Sequence, residues 1–411
     1  MKRKYLKKFQ SASYQPLLIT ILCFVLLTSF LQGCAAPIRH PVPEKLTTSV
    51  RPLQLESIRT FIDSVESKHI DFFSSSLSPV LDKYSNSENV LTMLALSGGS
   101  DGGAFGAGFL NGWTDTGNRP LFDVVTGIST GALMAPFAFL GSSSDESLKA
   151  VYTGISADNI YLVRSLGEMI SRRDAVANSK PLAQLLETYV DDKSIKKIGL
   201  EHKKGRRLFV GTTHIDSGRL VVWDMGAIAL SDHPDAPGLF RDVLLASASI
   251  PIAFPPVYIS IEAEGNQYDE MHVDGGLITQ VFGIETLSHL LTKTNNSGNR
   301  VKARGYMIRN SELTTAWQQI PRKVIDIGSR TVDIMINSQS IGDIFRNYVI
   351  ARHTGIEFFL TGIPADFKAN HPESFDTGYM NALFDAGYEM GKSDNPWKTT
   401  PPVVGDIMTK E

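Results

Sequence analysis

The sequence is short of cysteine, since its 411 residues include only Cys23 and Cys34. Two thiols are too few for a four-cysteine zinc site or for a scaffold held together by several disulfides. An excess of one charge is also missing, because 40 basic and 43 acidic residues give a formal net charge of −3. This balance gives no reason to expect a nucleic-acid partner. The apolar run at residues 17–31 has 15 residues, fewer than the roughly 20 that a membrane-spanning helix needs.

The amino-terminal residues follow the order of an export signal. Five basic residues and no acidic residue occur within residues 1–10, the apolar run follows, and Leu31-Gln32-Gly33 leads directly into Cys34. A small residue before a cysteine resembles the bacterial lipoprotein signal, which is cut before the cysteine. We therefore expect residues 1–33 to be a signal peptide and Cys34 to carry acyl chains. The alternatives are an ordinary secretory signal or a membrane anchor with a chance cysteine.

Cleavage before Cys34 would change the charge of the chain. It removes five basic residues, which leaves 35 basic against 43 acidic residues and a net charge of −8. An anionic bilayer does not attract such a chain, so the acyl chains would have to anchor it. Cys34 is followed by Ala35, which by resemblance to lipoprotein sorting in bacteria with two membranes implies the outer membrane. Residues 34–52, which contain four prolines, are predicted to be the lipidated cysteine and a semi-extended tether.

The remaining chain alternates between strand-like and helical patterns. We predict a leading helix over residues 53–89, one α/β domain over residues 90–395 and a tail over residues 396–411. Strand-like runs occur at residues 90–96, 121–126, 207–213, 220–223, 257–261 and 301–308, with helical patterns between most of them. This alternation predicts a mainly parallel sheet covered by helices on both faces. In such sheets, sites lie beyond the carboxyl ends of the strands.

A Gly-x-Ser-x-Gly motif lies at one such position. Ser129 stands between Gly127 and Gly131, after the strand-like FDVVT and before the helical ALMAPFAFL. A nucleophilic serine has to project from a sharp strand-to-helix turn, and glycines two residues before and after leave room for that turn. The amino terminus of the following helix favours the negative charge that develops during attack. The alternative is a glycine-rich turn in which the serine caps the helix.

A glycine-rich loop follows the strand-like residues 90–96. It contains Gly98, Gly99, Ser100 and Gly103, and the backbone N–H groups of such a loop can bind an anion. Neither the dinucleotide-binding pattern nor the Gly-Lys-Ser/Thr of a P-loop is present here. An oxyanion hole fits better, because a candidate nucleophile lies in the next strand–helix unit. The alternative is a turn that allows close packing of helix and strand.

A third motif, Asp274-Gly275-Gly276, follows the short strand-like segment 271–273. An aspartate in this position could accept the serine proton directly or through water. The alternative is an ordinary Asp-Gly turn.

Together, the three motifs resemble the patatin-like phospholipase family. The family's order is a glycine-rich loop, then Gly-x-Ser-x-Gly about 30 residues later, then Asp-Gly-Gly well downstream. Residues 241–256, RDVLLASASIPIAFPP, are also similar to the family's segment before its Asp-Gly-Gly motif. The resemblance covers residues 90–290 well, as a motif core, and residues 300–392 loosely.

The resemblance implies a three-layer α/β/α fold with a mainly parallel central sheet and a catalytic dyad without histidine. Ser129 would be the nucleophile, Asp274 the general base, and the backbone amides of Gly98, Gly99 and Ser100 the oxyanion hole. The implied reaction is hydrolysis of a lipid acyl ester through an acyl-enzyme. The implied partners are a membrane lipid substrate and, through Cys34, the membrane itself, with neither a cofactor nor a metal ion.

The glycine loop departs from the family pattern Gly-Gly-Gly-x-Lys/Arg-Gly. Ser100 stands at the third glycine and Gly102 at the basic residue. A cation there would help to hold negative charge near the oxyanion, so its loss affects the rate, the preference for phosphate head groups, or both. An uncharged ester would suffer less than a phospholipid.

Two other functions compete with this one. The chain could be a catalytically silent envelope lipoprotein that binds lipid or protein, which the altered glycine loop would explain. It could also be a conventional Ser-His-Asp esterase, whose histidine follows the acid in the sequence. His289, His353 and His371 lie downstream of Asp274, but none has a local signature. His272, two residues before Asp274 on the same strand face, could line the site.

Overall fold

The computed structural model describes residues 39–62, 68–84, 87–163, 175, 177–296, 301–312 and 317–401. The predicted signal peptide, Cys34 and the last ten residues lie outside this part of the chain. None of the described helices is both long enough and apolar enough to cross a membrane.

Nine of the described strands form one sheet in the order β1-β7-β6-β3-β2-β10-β11, with β9 paired to β6 and β8 paired to β9. The strands β4 and β5 form a separate pair. The strands are β1 (Arg59–Ile62), β2 (Val90–Leu96), β3 (Val124–Gly127), β4 (Leu162–Val163), β5 (Ala177–Asn178), β6 (Arg207–His214), β7 (Arg219–Asp224), β8 (Val257–Ala263), β9 (Asn266–Asp274), β10 (Lys302–Arg309) and β11 (Glu357–Gly362).

Helices connect most of these strands. The described α-helices are α1 (Lys68–Tyr84), α2 (Gly103–Asp115), α3 (Thr130–Leu140), α4 (Asp145–Thr153), α5 (Ala157–Ile160), α6 (Lys180–Tyr189), α7 (Asp192–Lys203), α8 (Met225–Leu230), α9 (Ala236–Ser247), α10 (Ile284–Asn296), α11 (Val324–Thr354) and α12 (Thr377–Lys392).

The centre of the sheet is parallel and buried on both faces. The strands β11, β10, β2, β3 and β6 run parallel to one another. Along β2 the side chains alternate between two hydrophobic cores. Leu94 and Leu96 pack in a core with α2, α3, α9 and α12, whereas Leu91 and Met93 pack in a core with α1, α10 and α11. Because strand side chains alternate between faces, helices cover both sides, and the predicted three-layer α/β/α fold is confirmed.

The strand β6 brings the third motif beside the second. Its first half pairs with β3, where Val210 lies opposite Gly127. Beyond the end of β3, the same edge of β6 pairs with β9, where Thr212 lies opposite Asp274. The end of β9 therefore lies directly beyond the end of β3, although about 145 residues separate Asp274 from Ser129 in the sequence. This branching of the sheet is what assembles the candidate site.

The segment before the domain differs from the prediction. The leading helix predicted from residue 53 is wrong for its first part, because Arg59–Ile62 forms β1 and pairs with β7. The helix itself spans Lys68–Tyr84. The tether predicted over residues 34–52 is packed on the domain from residue 39 onward. There, Val42 and Val50 are buried in the core, and Arg39 forms ion pairs with Asp216 and Asp269.

Candidate active site

Ser129 occupies a strained turn between β3 and α3. Its backbone has φ +55° and ψ −127°, a conformation that non-glycine residues rarely adopt and that tends to occur at functional sites. A Cβ added at Gly127 would lie 2.5 Å from the carbonyl oxygen of Gly131, and one added at Gly131 would lie 2.4 Å from that of Leu96. The two glycines are therefore needed because backbone approaches backbone on both sides of Ser129.

The backbone of Ser129 is held by a residue to which the sequence analysis gave no role. The N–H of Ser129 donates to the Ser247 hydroxyl at 3.0 Å, and that hydroxyl donates to the carbonyl oxygen of Gly211 at 2.7 Å. Ser247 is fully buried and ends α9, within the RDVLLASASIP segment. It therefore links the turn at Ser129 to β6.

The glycine-rich loop supplies two free backbone amides. The N–H of Gly98 donates to the carbonyl oxygen of Gln280 at 3.3 Å. In the part of the chain that the structure describes, the N–H groups of Gly99 and Ser100 have no acceptor. Both residues line the same cavity as Ser129 and Asp274. Of the three amides predicted for the oxyanion hole, those of Gly99 and Ser100 therefore remain available.

Ser100 and Gly102, the two departures from the family pattern, have different structural surroundings. Ser100 lies at φ +53°, in the left-handed region where glycine is favoured. A Cβ added at Gly102 would lie 2.1 Å from the backbone carbonyl oxygen of Asn310. Gly102 therefore has no room for any side chain while the end of β10 keeps its place.

Asp274 is buried beside Ser129. Its carboxyl Oδ1 accepts a hydrogen bond from the N–H of Gly276 at 2.7 Å, and its own N–H donates to the carbonyl oxygen of Ser249. Burial raises the pKa of Asp274 to about 7, and the interactions with Ser129 and with the Gly276 N–H oppose that rise. A carboxyl group with this pKa can both accept and return a proton near neutral pH.

Gln280 is a further residue of the site that sequence reasoning missed. Its carbonyl oxygen accepts from Gly98, its side-chain amide donates to the carbonyl oxygen of Gly276 at 3.0 Å, and its N–H donates to Asp343 of α11 at 2.7 Å. It also lines the cavity of Ser129. Gln280 thus joins the glycine loop, the Asp-Gly-Gly turn and α11, and no sequence motif marks it.

A comparison with known protein families identifies the central part of the chain. Residues 94–285 match the family model for patatin-like phospholipases. The chain contains a patatin-like phospholipase domain. This confirms the resemblance found in the sequence, and at family level it supports hydrolysis of lipid acyl esters. No curated protein matches the chain significantly.

Among solved structures, the chain is similar to the crystal structure of VipD from Legionella pneumophila. The two share 12% sequence identity with a TM-score of 0.38, and the match covers 74% of this chain and 66% of that chain. The chain thus spans slightly less than two thirds of that protein.

The candidate histidines His289, His353 and His371 lie away from the cavity of Ser129. His289 and His353 line a surface pocket between α10 and α11. His371 interacts with Asp101 at 2.9 Å and stacks on Tyr379. Among the described residues that line the cavity of Ser129, there is no histidine.

His272 belongs to a separate buried cluster. Its ring interacts with Thr212 at 2.9 Å and with Glu270 at 3.3 Å. With His214, the potential metal-ligating atoms of these side chains lie within 4.8 Å of one another. However, the Arg59 guanidinium donates to both oxygens of Glu270, so a metal ion would face a neighbouring cation. This cluster is better described as a charge-balanced part of the core than as a metal site.

Proposed function

We propose that the chain is an envelope-tethered lipid acyl hydrolase that uses Ser129 as nucleophile and Asp274 as general base. The observation that carries this proposal is the pairing of a serine on a strained strand-to-helix turn with a buried carboxyl group whose pKa is raised to about 7. Ser129 and Asp274 are close together because β6 pairs first with β3 and then, along the same edge, with β9.

In the proposed acylation step, the Ser129 Oγ attacks the ester carbonyl carbon while Asp274 accepts the hydroxyl proton. The carbonyl oxygen becomes an oxyanion, and the N–H groups of Gly99 and Ser100 donate hydrogen bonds to it. Collapse of this intermediate breaks the carbon–oxygen bond to the alcohol. The departing alkoxide takes the proton from Asp274, which leaves an acyl-enzyme and a neutral alcohol.

Deacylation repeats these roles with water. Asp274 accepts a proton from a water molecule whose oxygen attacks the acyl carbon, and the same two amides stabilise the second oxyanion. Collapse expels the Ser129 oxygen, which regains the proton from Asp274, and releases the fatty acid. A base with a pKa near neutral suits both directions of proton transfer, because it binds and releases the proton at little cost.

The proposal includes anchoring through Cys34. A lipid anchor would raise the effective concentration of the enzyme at a bilayer that contains its substrate. The net negative charge of the mature chain gives no attraction to an anionic bilayer that could take the place of this anchor. Replacement of Cys34 by Ser should move the protein from the membrane fraction to the soluble fraction.

The test is labelling with a fluorophosphonate, which reacts with activated serines and needs no knowledge of the substrate. We compare the mature chain with its Ser129→Ala and Asp274→Asn variants. Ser142→Ala and Asp232→Asn serve as matched controls, since both side chains are exposed. We expect labelling to be lost in the first pair and unchanged in the second pair.

The rival functions predict other results. A folded parent protein that does not label would favour the silent lipoprotein. Loss of labelling in a His289, His353 or His371 variant would instead support the conventional esterase.

A further inference from the structure

The helix α11 has a face whose apolar side chains are exposed in the part of the chain that the structure describes. One side of its amino-terminal half lines the cavity of Ser129, through Arg330, Asp333, Ile336, Asn337 and Ser340. The opposite side exposes Val324, Ile327, Ile334 and Met335 to solvent, and Val324 is 88% exposed. Helical spacing places these four on one face. The helix therefore separates the cavity from an apolar outer surface.

Ile252 lies beside this face, and the exposed Trp317 precedes α11 by seven residues in the sequence. Trp317, which precedes α11, is 87% exposed. Ile252 is 42% exposed, and its Cδ1 lies 3.9 Å from where a Cβ on Gly328 of α11 would be. Ile252 also has φ +75°, a costly conformation for a β-branched side chain. We call the six residues Ile252, Trp317, Val324, Ile327, Ile334 and Met335 the outer apolar surface.

The outer apolar surface belongs to the same edge of the molecule as the start of the described chain. Ser129 follows the carboxyl end of β3, and Asp216 follows the carboxyl end of β6, which runs parallel to β3. Arg39 pairs with Asp216 through two hydrogen bonds, at 2.8 and 3.0 Å. The described chain thus begins, at Arg39, on the edge where the cavity lies.

The length of this connection limits where an anchor can be. Four residues lie between Cys34 and Arg39, and the five steps from one to the other reach at most about 18 Å at about 3.3–3.6 Å per step. An acylated Cys34 would therefore hold the Arg39 edge close to the bilayer.

We propose that the outer apolar surface rests on the lipid bilayer and presents the cavity of Ser129 to it. This inference rests on the proposed function, because it takes a lipid as substrate and Cys34 as the anchor. The surface would lie at the level of the head groups, with its aliphatic side chains in the acyl region. Tryptophan is favoured at this boundary.

Charge and composition favour a bilayer over a second protein as the occupant. The exposed Arg322 and Lys323 directly precede Val324, the first residue of α11 and part of this surface, and basic side chains favour anionic lipid. The rest of the mature chain carries net negative charge. Two adjacent basic side chains beside the surface therefore differ from the charge of the chain as a whole. Exposed apolar patches with polar borders mark protein or membrane interaction sites.

The test uses the mature chain with Cys34→Ser, so that no acyl chain contributes to binding. The probe is a vesicle of phosphatidylethanolamine and phosphatidylglycerol. Of the four tryptophans, Trp113 and Trp223 are buried and Trp397 is partly buried, so a blue shift of emission on vesicle addition should come from Trp317 and should vanish in Trp317→Phe.

The double variant Ile327→Asp/Met335→Asp should bind vesicles and hydrolyse vesicle lipid at least tenfold more weakly, since burying one such side chain exceeds the roughly 1.4 kcal/mol of a tenfold change. Hydrolysis of a monomeric, water-soluble ester should stay unchanged, because neither residue lines the cavity. The matched control is Leu121→Asp/Leu200→Asp, two exposed leucines that precede the amino ends of β3 and β6. It should bind vesicles as the parent does.

Equal vesicle binding by the parent and the Ile327→Asp/Met335→Asp variant would overturn the inference. So would a parent dimer in sedimentation that this variant turns into monomers, because the surface would then join two copies of the chain. Failure of the parent to hydrolyse the soluble ester would instead count against the proposed function, and vesicle binding can still be scored in that case.

Discussion

Two buried carboxyl groups on one face of β9 have opposite electrostatic states. Glu270 and Asp274 are four residues apart on the same strand, and both are nearly inaccessible to solvent. Burial raises the pKa of each, but at Glu270 the charge of Arg59 and the hydrogen bonds from Arg59 and His272 outweigh burial and hold the pKa at about 2. At Asp274 only the Ser129 side chain and one backbone N–H oppose burial, and the pKa rises to about 7.

The difference shows that the partner, rather than depth in the fold, decides what a buried carboxyl group can do. A guanidinium fixes Glu270 as a permanent anion, which suits a structural role. Hydroxyl and amide donors leave Asp274 able to exchange a proton near neutral pH, which suits a general base. The same strand can thus carry a structural carboxylate and a reactive one.

The largest expected effect comes from removing the exchangeable proton at Asp274. Asp274→Asn should lower hydrolysis of a soluble ester by about 10²–10⁴-fold, the usual contribution of a general base. In the parent, activity should rise with pH up to about 7 and then level off as Asp274 ionises. The measurement is kcat/KM against pH for both proteins.

Stability gives an independent check of the same group. Between about pH 4 and pH 7 the unfolded chain has released the Asp274 proton while the folded chain keeps it, so the parent should lose stability as pH rises. The Asp274→Asn variant should lack this loss and be the more stable protein at pH 8. An activity profile that stays flat through pH 7 in the parent would contradict the raised pKa.

The second-largest expected effect is a loss of stability when Arg59, the cationic partner of Glu270, is removed. Arg59→Met should destabilise the fold by about 3–5 kcal/mol, because it leaves a buried carboxylate without its partner. Chemical unfolding at neutral pH measures this change. The double variant Arg59→Met/Glu270→Gln should recover much of the loss, since both charges are then gone. No recovery would mean that Arg59 acts mainly through its packing on Trp223.

The smallest effect concerns His214, which lies beside the Glu270 cluster. Burial lowers the pKa of His214 to about 4, so the folded chain resists the proton that the unfolded chain binds below pH 6.5. The parent should therefore lose stability as pH falls from 6.5 to 4. His214→Gln should reduce this slope without changing stability at pH 8. The measurement is thermal unfolding of both proteins across this pH range. If stability falls equally steeply in the parent and in His214→Gln, groups other than His214 determine the pH dependence.

Local patterns predicted the centre of the fold well. The strand at residues 90–96 has the predicted bounds, and a helix follows Ser129 as predicted, because apolar runs and glycine turns are local signals. The strand Arg59–Ile62 was missed, since its partner β7 is distant in the sequence. The same limit explains why Ser247 and Gln280 were not recognised. Their roles depend on hydrogen bonds to residues brought near by the sheet, and no spacing along the chain encodes these contacts.

The close contact at Gly102 also limits which substitutions evolution or protein engineering can introduce into this loop. A lysine or arginine at this position would restore the basic residue of the family's loop, but its Cβ would collide with the Asn310 carbonyl oxygen. Any route back to a cationic loop must therefore first move the end of β10, and each single step would pass through a damaged protein. The two segments would have to be exchanged together, as one graft that includes both the loop and the residues after β10.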